Sequence, residues 1–508
     1  MRLRRFACLL ACLPALLLAA PQASPLAARI DAHIGAERFA GASWGIQAVA
    51  VDGGRVLYEH DPRRLLVPAS VAKLYTAAVA LDTLGAEHRA ATSLLATRKP
   101  ARDGTLHGDL ILYGYGDPTL GTQLHAGWAD ALADAAVKAG LRKVEGDLIA
   151  DTTYFAAPEF GSGWEASDLQ TWFGAPVSAL DIGENVARVF VRPGARVGQV
   201  ARLRFEPEVF GRAFDLVNTL ATVAASSHND VNLIRRPGER SMHAFGRIAL
   251  GTPEAGYRLA LPDPPQMAAW ILAKALGERG IGIEGKLRVV AWPETRSARA
   301  REPWHIADTW SPPLASVLEQ GLKRSQNLYL QALLLQVGAQ EAEQRRVAAL
   351  AKDTLPPFRS TDQLGLIALR RYLAGLGITP DEAVLTDGAG LSRRNLTSAA
   401  ALVKLLVALA DDPAARPFRT ALPVSGVDGT LAGRLAGKAT REQVFAKSGA
   451  MQGVAALAGY ATTASGERIA FAILLDNYRR PPGAARASAE IDAIVAMLVG
   501  VSAAPGKD

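Results

Sequence analysis

The stretch Val67-Pro68-Ala69-Ser70-Val71-Ala72-Lys73 sets a hydroxyl and an amine three residues apart at the start of a helical pattern. A helix begun just after Pro68 carries Val71, Leu74, Tyr75, Ala78 and Leu81 on one apolar stripe and stops at Gly85, a residue suited to the position after a helix end. Ser70 then falls in the first turn, where free N–H groups and the positive end of the helix dipole favour a developing oxyanion, and Lys73 falls on the same face. A serine hydroxyl attacks only once a base takes its proton, and a lysine is that base only if burial or a second cation lowers its pKa. Alone, Ser-x-x-Lys also describes an ordinary helix start, with Ser as N-cap and Lys facing water. It occurs once in the chain, and two further motifs follow it in order.

The first is Ser325-Gln326-Asn327, opening the helical run Leu328 to Leu334 and offering a hydroxyl and an amide for a proton relay. Ser227-His228-Asn229 shares the pattern but lies in a Ser/Asn/Asp-rich stretch that reads as a turn. The second is Lys447-Ser448-Gly449, between the β-like Gln443 to Ala446 and Val454 to Tyr460. A strand puts Lys447 and Gly449 on one face and Ser448 on the other. Gly449, lacking a side chain, leaves room for a peptide along the strand edge, and Lys447 supplies a cation for an anionic substrate end and for depressing the pKa of Lys73. Its bland reading is a solvated strand lysine.

The three motifs in this order form the pattern of β-lactamases and penicillin-binding proteins. The chain most resembles the low-molecular-mass class C penicillin-binding proteins, the D-alanyl-D-alanine carboxypeptidase/endopeptidases. The resemblance extends to Gly116-Asp117-Pro118-Thr119-Leu120, Ala175 to Leu180, Asp387-Gly388-Ala389-Gly390-Leu391-Ser392-Arg393 and Leu422 to Leu431. Ser448 stands where the family usually has Thr, and Ala389 and Ala450 where it often has Ser or Ser/Thr. The implied fold is α/β: a β-lactamase/transpeptidase-like domain, an antiparallel sheet flanked by helices, with a large β-rich insert.

Met1-Arg2-Leu3-Arg4-Arg5 followed by the apolar run Phe6 to Ala20 reads as a secretory signal peptide over residues 1–23, and predicts an exported, periplasmic protein with no membrane span in the mature chain. Both cysteines, Cys8 and Cys12, lie inside it, which excludes thiol chemistry and disulfides from the mature protein. Loss of Arg2, Arg4 and Arg5 lowers the formal charge from +7 to +4, too little in 508 residues to point to nucleic acid. The eight histidines form no close ligand pair, so no metal or other cofactor is expected.

Residues 25–39 read as a helix, Ser43 to Val51 and Arg55 to Glu59 as a hairpin, and residues 24–93 as the first part of the catalytic domain. Ser70 and Ser325 are 255 positions apart, far more than one helical subdomain needs. Residues 94–302 are therefore assigned to an insert, with a β-rich piece nested at about 188–250, and 303–508 to the rest of the catalytic domain. There, 314–340 read as one helical stretch bearing Ser325, Asp362 to Ala374 as a helix capped by Asp362 with Gly375 after its end, and Ala487 to Val499 as the closing helix.

By resemblance, Ser70 is the nucleophile and Lys73 its base. Backbone N–H groups of Ser70 and Ala450 form the oxyanion hole, Ser325 and Asn327 relay the proton and orient substrate, and Lys447 and Ser448 hold its carboxylate. The resemblance also puts Asp168, Phe173, Arg393 and Gln452 around a diaminopimelate-containing peptide, for which the insert must fold over the cleft. On the residues alone, Asp168 also fits a surface helix cap beside core aromatics. The implied substrate is a peptidoglycan peptide and the implied covalent inhibitors are β-lactams. A β-lactamase or esterase on the same fold, and a non-catalytic wall-binding protein, remain as alternatives.

Overall fold

The computed structural model describes residues 24–293, 303–351 and 357–501. The expected signal peptide and both cysteines lie outside them.

Five antiparallel strands form the central sheet, in the order Val56–His60, Ser43–Ala50, Arg468–Asp476, Val454–Thr462, Val444–Met451. The alternation of Arg468–Asp476 decides what each face accepts. Ile469, Phe471, Ile473 and Leu475 pack against the terminal helices Pro25–Ile34 and Ala487–Val499, whereas Ala470, Ala472 and Leu474 face the helical layer that contains the Ser70 turn. Small residues on the second face let that layer approach closely. The expected stripe of the Ser70 helix packs there, with Val71, Leu74, Tyr75 and Ala78 buried and Leu81 at the margin.

The insert has its own sheet and core. Its five strands run in the order Leu287–Val290, Leu148–Asp151, Leu110–Gly114, Ala91–Ala96, Trp304–Trp310, with helices Trp128–Lys138 and Pro264–Glu278 packed on one face. The expected junctions at 93/94 and 302/303 therefore cut Ala91–Ala96 and leave Trp304–Trp310 on the catalytic side, although both strands belong to the insert's sheet. Two smaller sheets lie between them in sequence, one of Val186–Arg192, Arg202–Glu206 and Ala255–Ala260, the other of four strands within residues 215–249. Together they span a longer stretch than 188–250.

Three local expectations are corrected. The stretch 314–340 is two helices, Leu314–Lys323 and Asn327–Leu350, and Ser325 sits in the break at φ +56°. The helix at Thr361–Gly375 is capped by Ser360 in a reciprocal box with Gln363, not by Asp362, and its left-handed exit residue is Gly377, not Gly375. Ser70 lies in a 3₁₀ turn, Ala69–Ala72, which passes into the α-helix Lys73–Leu84 before Gly85 at φ +84°.

Candidate active site

The turn that carries Ser70 is strained and clamped. Ala69 has φ +47°, a conformation that costs a non-glycine residue about 1 kcal/mol or more, so its neighbours must impose it. Val67 N donates to Asp476 Oδ2 at 2.8 Å, and Leu66 exchanges backbone hydrogen bonds with Thr397. Two motif glycines close the clamp. A Cβ on Gly390 would stand 2.2 Å from the Ala69 carbonyl oxygen, and one on Gly449 would stand 2.5 Å from that of Pro68. Gly449 thus lets its strand approach the Ser70 turn closely, a reason besides the room for substrate that the sequence suggested.

Lys73 is wholly buried, and its Nζ touches three oxygens: Ser70 Oγ at 2.8 Å, Asn327 Oδ1 at 2.6 Å and the Ala389 carbonyl at 2.5 Å. Burial lowers its pKa to about 7, against an opposing pull from Asp387. A neutral amine has two N–H bonds and one lone pair. Asn327 Oδ1 and Ala389 O can only accept, so they take the two N–H bonds, and the lone pair is left facing the Ser70 hydroxyl.

Lys447 is equally buried, and donates to Ser325 Oγ at 2.8 Å and to the Ser448 carbonyl at 2.7 Å. Burial, then repulsion from Lys73, holds its pKa well below the usual lysine value. Repulsion between the two ammoniums is mutual, but burial and not Lys447 is the main cause at Lys73. The expected carboxylate clamp also divides differently: Lys447 lies beneath the surface, while the cleft is lined by Ser448, whose hydroxyl donates to Thr430 Oγ1 at 2.8 Å.

The Lys447 strand is an edge of the sheet, as expected. Residues 423–425 cover the outward-facing carbonyl of Val444 and N–H of Ala446. By alternation, the N–H groups of Ser448 and Ala450 point outward as well.

The profile of the D-Ala-D-Ala carboxypeptidase 3 (S13) family matches residues 26–499. The chain belongs to this family. The D-alanyl-D-alanine carboxypeptidase of Actinomadura sp. (strain R39) is 33% identical over 452 residues, which cover 87% of this chain and 79% of that protein. The D-alanyl-D-alanine carboxypeptidase DacB of Haemophilus influenzae is 27% identical over 444 residues, covering 86% of each. The crystal structure of penicillin binding protein 4 (dacB) from Haemophilus influenzae shares the fold, with a TM-score of 0.76 at 24% identity over 92% of this chain and 98% of that one. The molecule is thus a carboxypeptidase, a peptide hydrolase with the penicillin-binding-protein fold.

Around this carboxypeptidase's Ser70 opens a cleft of about 550 Å³. Asp168, Phe173, Arg393 and Gln452 all line it, together with Ser325, Asn327, Ser448 and Ala450. The insert therefore does reach the cleft. Asn327 Nδ2 donates to the Phe173 carbonyl at 2.8 Å, so the amide that holds Lys73 is itself oriented by the insert. Asp168 stands in a short 3₁₀ turn, half-buried, and burial raises its pKa. Arg393 pairs with Glu165 at 3.1 Å and reaches the Gln452 carbonyl at 3.3 Å.

Several contributors escaped the sequence reading. Asp387 accepts from Gly390, Leu391 and Ser392 N–H, from Asn395 Nδ2, and from Trp164 Nε1 of the insert at 2.7 Å, and so shapes the loop whose Ala389 carbonyl holds Lys73. An Asp ahead of two glycines was the available signal. Thr430 lies in the resembling stretch Leu422 to Leu431 and Trp164 opens the segment that runs to Phe173, but neither residue's contact was foreseen. Among the described residues, no group of three or more His, Cys, Asp or Glu is placed to hold a metal, and no helix is long and apolar enough to cross a membrane.

Proposed function

We propose that this carboxypeptidase is a periplasmic serine enzyme that removes the terminal D-alanine of peptidoglycan peptides, also cleaves their D,D-cross-links, and is acylated by penicillin. The observation that supports it most is Lys73 Nζ 2.8 Å from Ser70 Oγ, with two acceptors placed to take the N–H bonds of its neutral form. Neutral Lys73 takes the hydroxyl proton as Oγ bonds to the scissile carbonyl carbon, and the N–H groups of Ser70 and Ala450 receive the oxyanion. The proton passes to the leaving amine, with Ser325 beside Lys447 as the relay on that side, and the C–N bond breaks to leave an ester on Ser70. Water then attacks the ester carbonyl, with Lys73 again as base; the C–Oγ bond breaks, the proton returns to Ser70 Oγ and the shortened peptide leaves as its carboxylate. Ser448 and Thr430 hydrogen-bond the carboxylate of the leaving residue, and Lys447 contributes from behind through Ser325 and the Ser448 carbonyl. Asp168, Phe173, Arg393 and Gln452 receive the diaminopimelate-bearing peptide.

The test is the purified mature enzyme with a D-Ala-D-Ala peptide, a cross-linked dimer and a fluorescent penicillin. D-alanine release, dimer cleavage and a stable label are expected. Rapid turnover of the label would indicate a β-lactamase, and no labelling or hydrolysis would indicate a wall-binding protein.

A further inference from the structure

Beside the active-site cleft lies a second hollow of about 650 Å³, and Trp172 and Arg324 line both. It opens at one end of the cleft. Arg324 precedes Ser325, which meets Lys447 next to Ser448, whereas Arg393 holds Gln452, in the turn just past the far end of the Lys447 strand.

The hollow's charges are not balanced. Arg324 is neutralised by Glu184 through bonds of 2.5 and 3.0 Å, and Arg188 lies 3.7 Å from Glu206. Arg258 makes no salt bridge to a carboxylate among the described residues, and Glu184, already paired with Arg324, acts on it only at longer range. Its guanidinium stacks 3.8 Å from the centre of the Trp172 ring, and a backbone bridge from Thr171 to Leu259 fixes the two segments side by side. Stacking leaves the edge of the guanidinium, with its forked donors, free for a planar anion.

We propose that this hollow is a second carboxylate subsite, in which Arg258 stacked on Trp172 receives a free carboxylate from the leaving strand of a cross-linked peptide. The inference rests on the reading above that the leaving residue's own carboxylate sits at Ser448 and Thr430, which puts the hollow on the leaving side. A lone D-alanine ends at Ser448 and cannot reach it, so the subsite favours endopeptidase substrates alone.

The experiment compares two synthetic dimers, identical except that the leaving strand's remaining carboxylate is free or amidated, with a D-Ala-D-Ala peptide as reference. The wild-type enzyme is expected to prefer the free-acid dimer by about tenfold in kcat/KM, the order expected of one charge-assisted hydrogen-bonded pair. Arg258→Gln should abolish the preference, Arg258→Lys should restore part of it, and D-alanine release and penicillin acylation should stay within twofold. No wild-type preference, a preference that survives Arg258→Gln, or an equal loss on all substrates would overturn the subsite. An enzyme that cleaves no dimer contradicts the proposed endopeptidase activity instead, and calorimetric affinities of the two dimers for the Ser70→Ala protein then decide the subsite by the same comparison.

Discussion

The floor of the cleft and its rim are held by different forces. On the floor, Lys73 and Lys447 are fully buried and bonded to oxygens at 2.5 to 2.8 Å, and the Ser70 turn is wedged between Gly390 and Gly449. On the rim, Asp168 is half-buried, and the Arg393–Glu165 pair is exposed, the kind of pair that adds about 1 kcal/mol or less. The floor is thus built for one geometry and the rim is softer. Under the proposed function, small changes on the floor should act on the chemical step and changes on the rim on which peptide is accepted.

Lys73→Arg sharpens this contrast most. It fixes a positive charge that cannot be lost as a proton, in a wholly buried position, so penicillin acylation should slow about a thousandfold, as expected for loss of a general base. Acylation within tenfold of wild type would show that the floor tolerates a cation and that another group is the base. Gly390→Ala follows. Its φ of +71° and the Ala69 oxygen in the path of the new Cβ should displace the nucleophile turn and cost about a hundredfold in stopped-flow acylation.

The pH dependence has a fixed sign. In the proposed mechanism the base is the neutral form of Lys73, so acylation should rise about tenfold per pH unit below its pKa of about 7 and flatten above it. A rise continuing through pH 9 would mean an ordinary solvated lysine.

The rim should respond selectively. Asp168→Ala is expected to slow cleavage of diaminopimelate-containing peptides about tenfold, the loss of one charge-assisted hydrogen bond, and to leave penicillin acylation unchanged. Equal losses on both would place Asp168 with the floor. Trp164→Phe removes the bond to Asp387, which keeps four other donors, so acylation should fall only about threefold.

The same division explains what was legible in the sequence. The grouping of Ser70, Lys73, Ser325, Asn327 and Lys447 could be read because the chemistry proposed for them needs short, fixed spacings, and the central sheet because its strands are apolar runs bounded by turn residues. The left-handed Ala69 and the break at Ser325 could not, since both are imposed by neighbours distant in sequence on residues with no preference for such backbone. Trp164 meets Asp387 across 223 positions, and although resemblance marks both segments, neither shows in its own residues that they meet. A second reason for Gly449 could not be read locally, because its crowding partner, the Pro68 carbonyl, belongs to another motif. The convergence of Asp168, Phe173, Arg393 and Gln452 came from resemblance alone.

The central claim is that Ser70, activated by Lys73, is the nucleophile. Mass mapping of peptides from the penicillin-treated enzyme tests it most directly. A single adduct on the peptide carrying Ser70, absent from Ser70→Ala, is the predicted result, and an adduct on any other residue, or one that persists in Ser70→Ala, would contradict it.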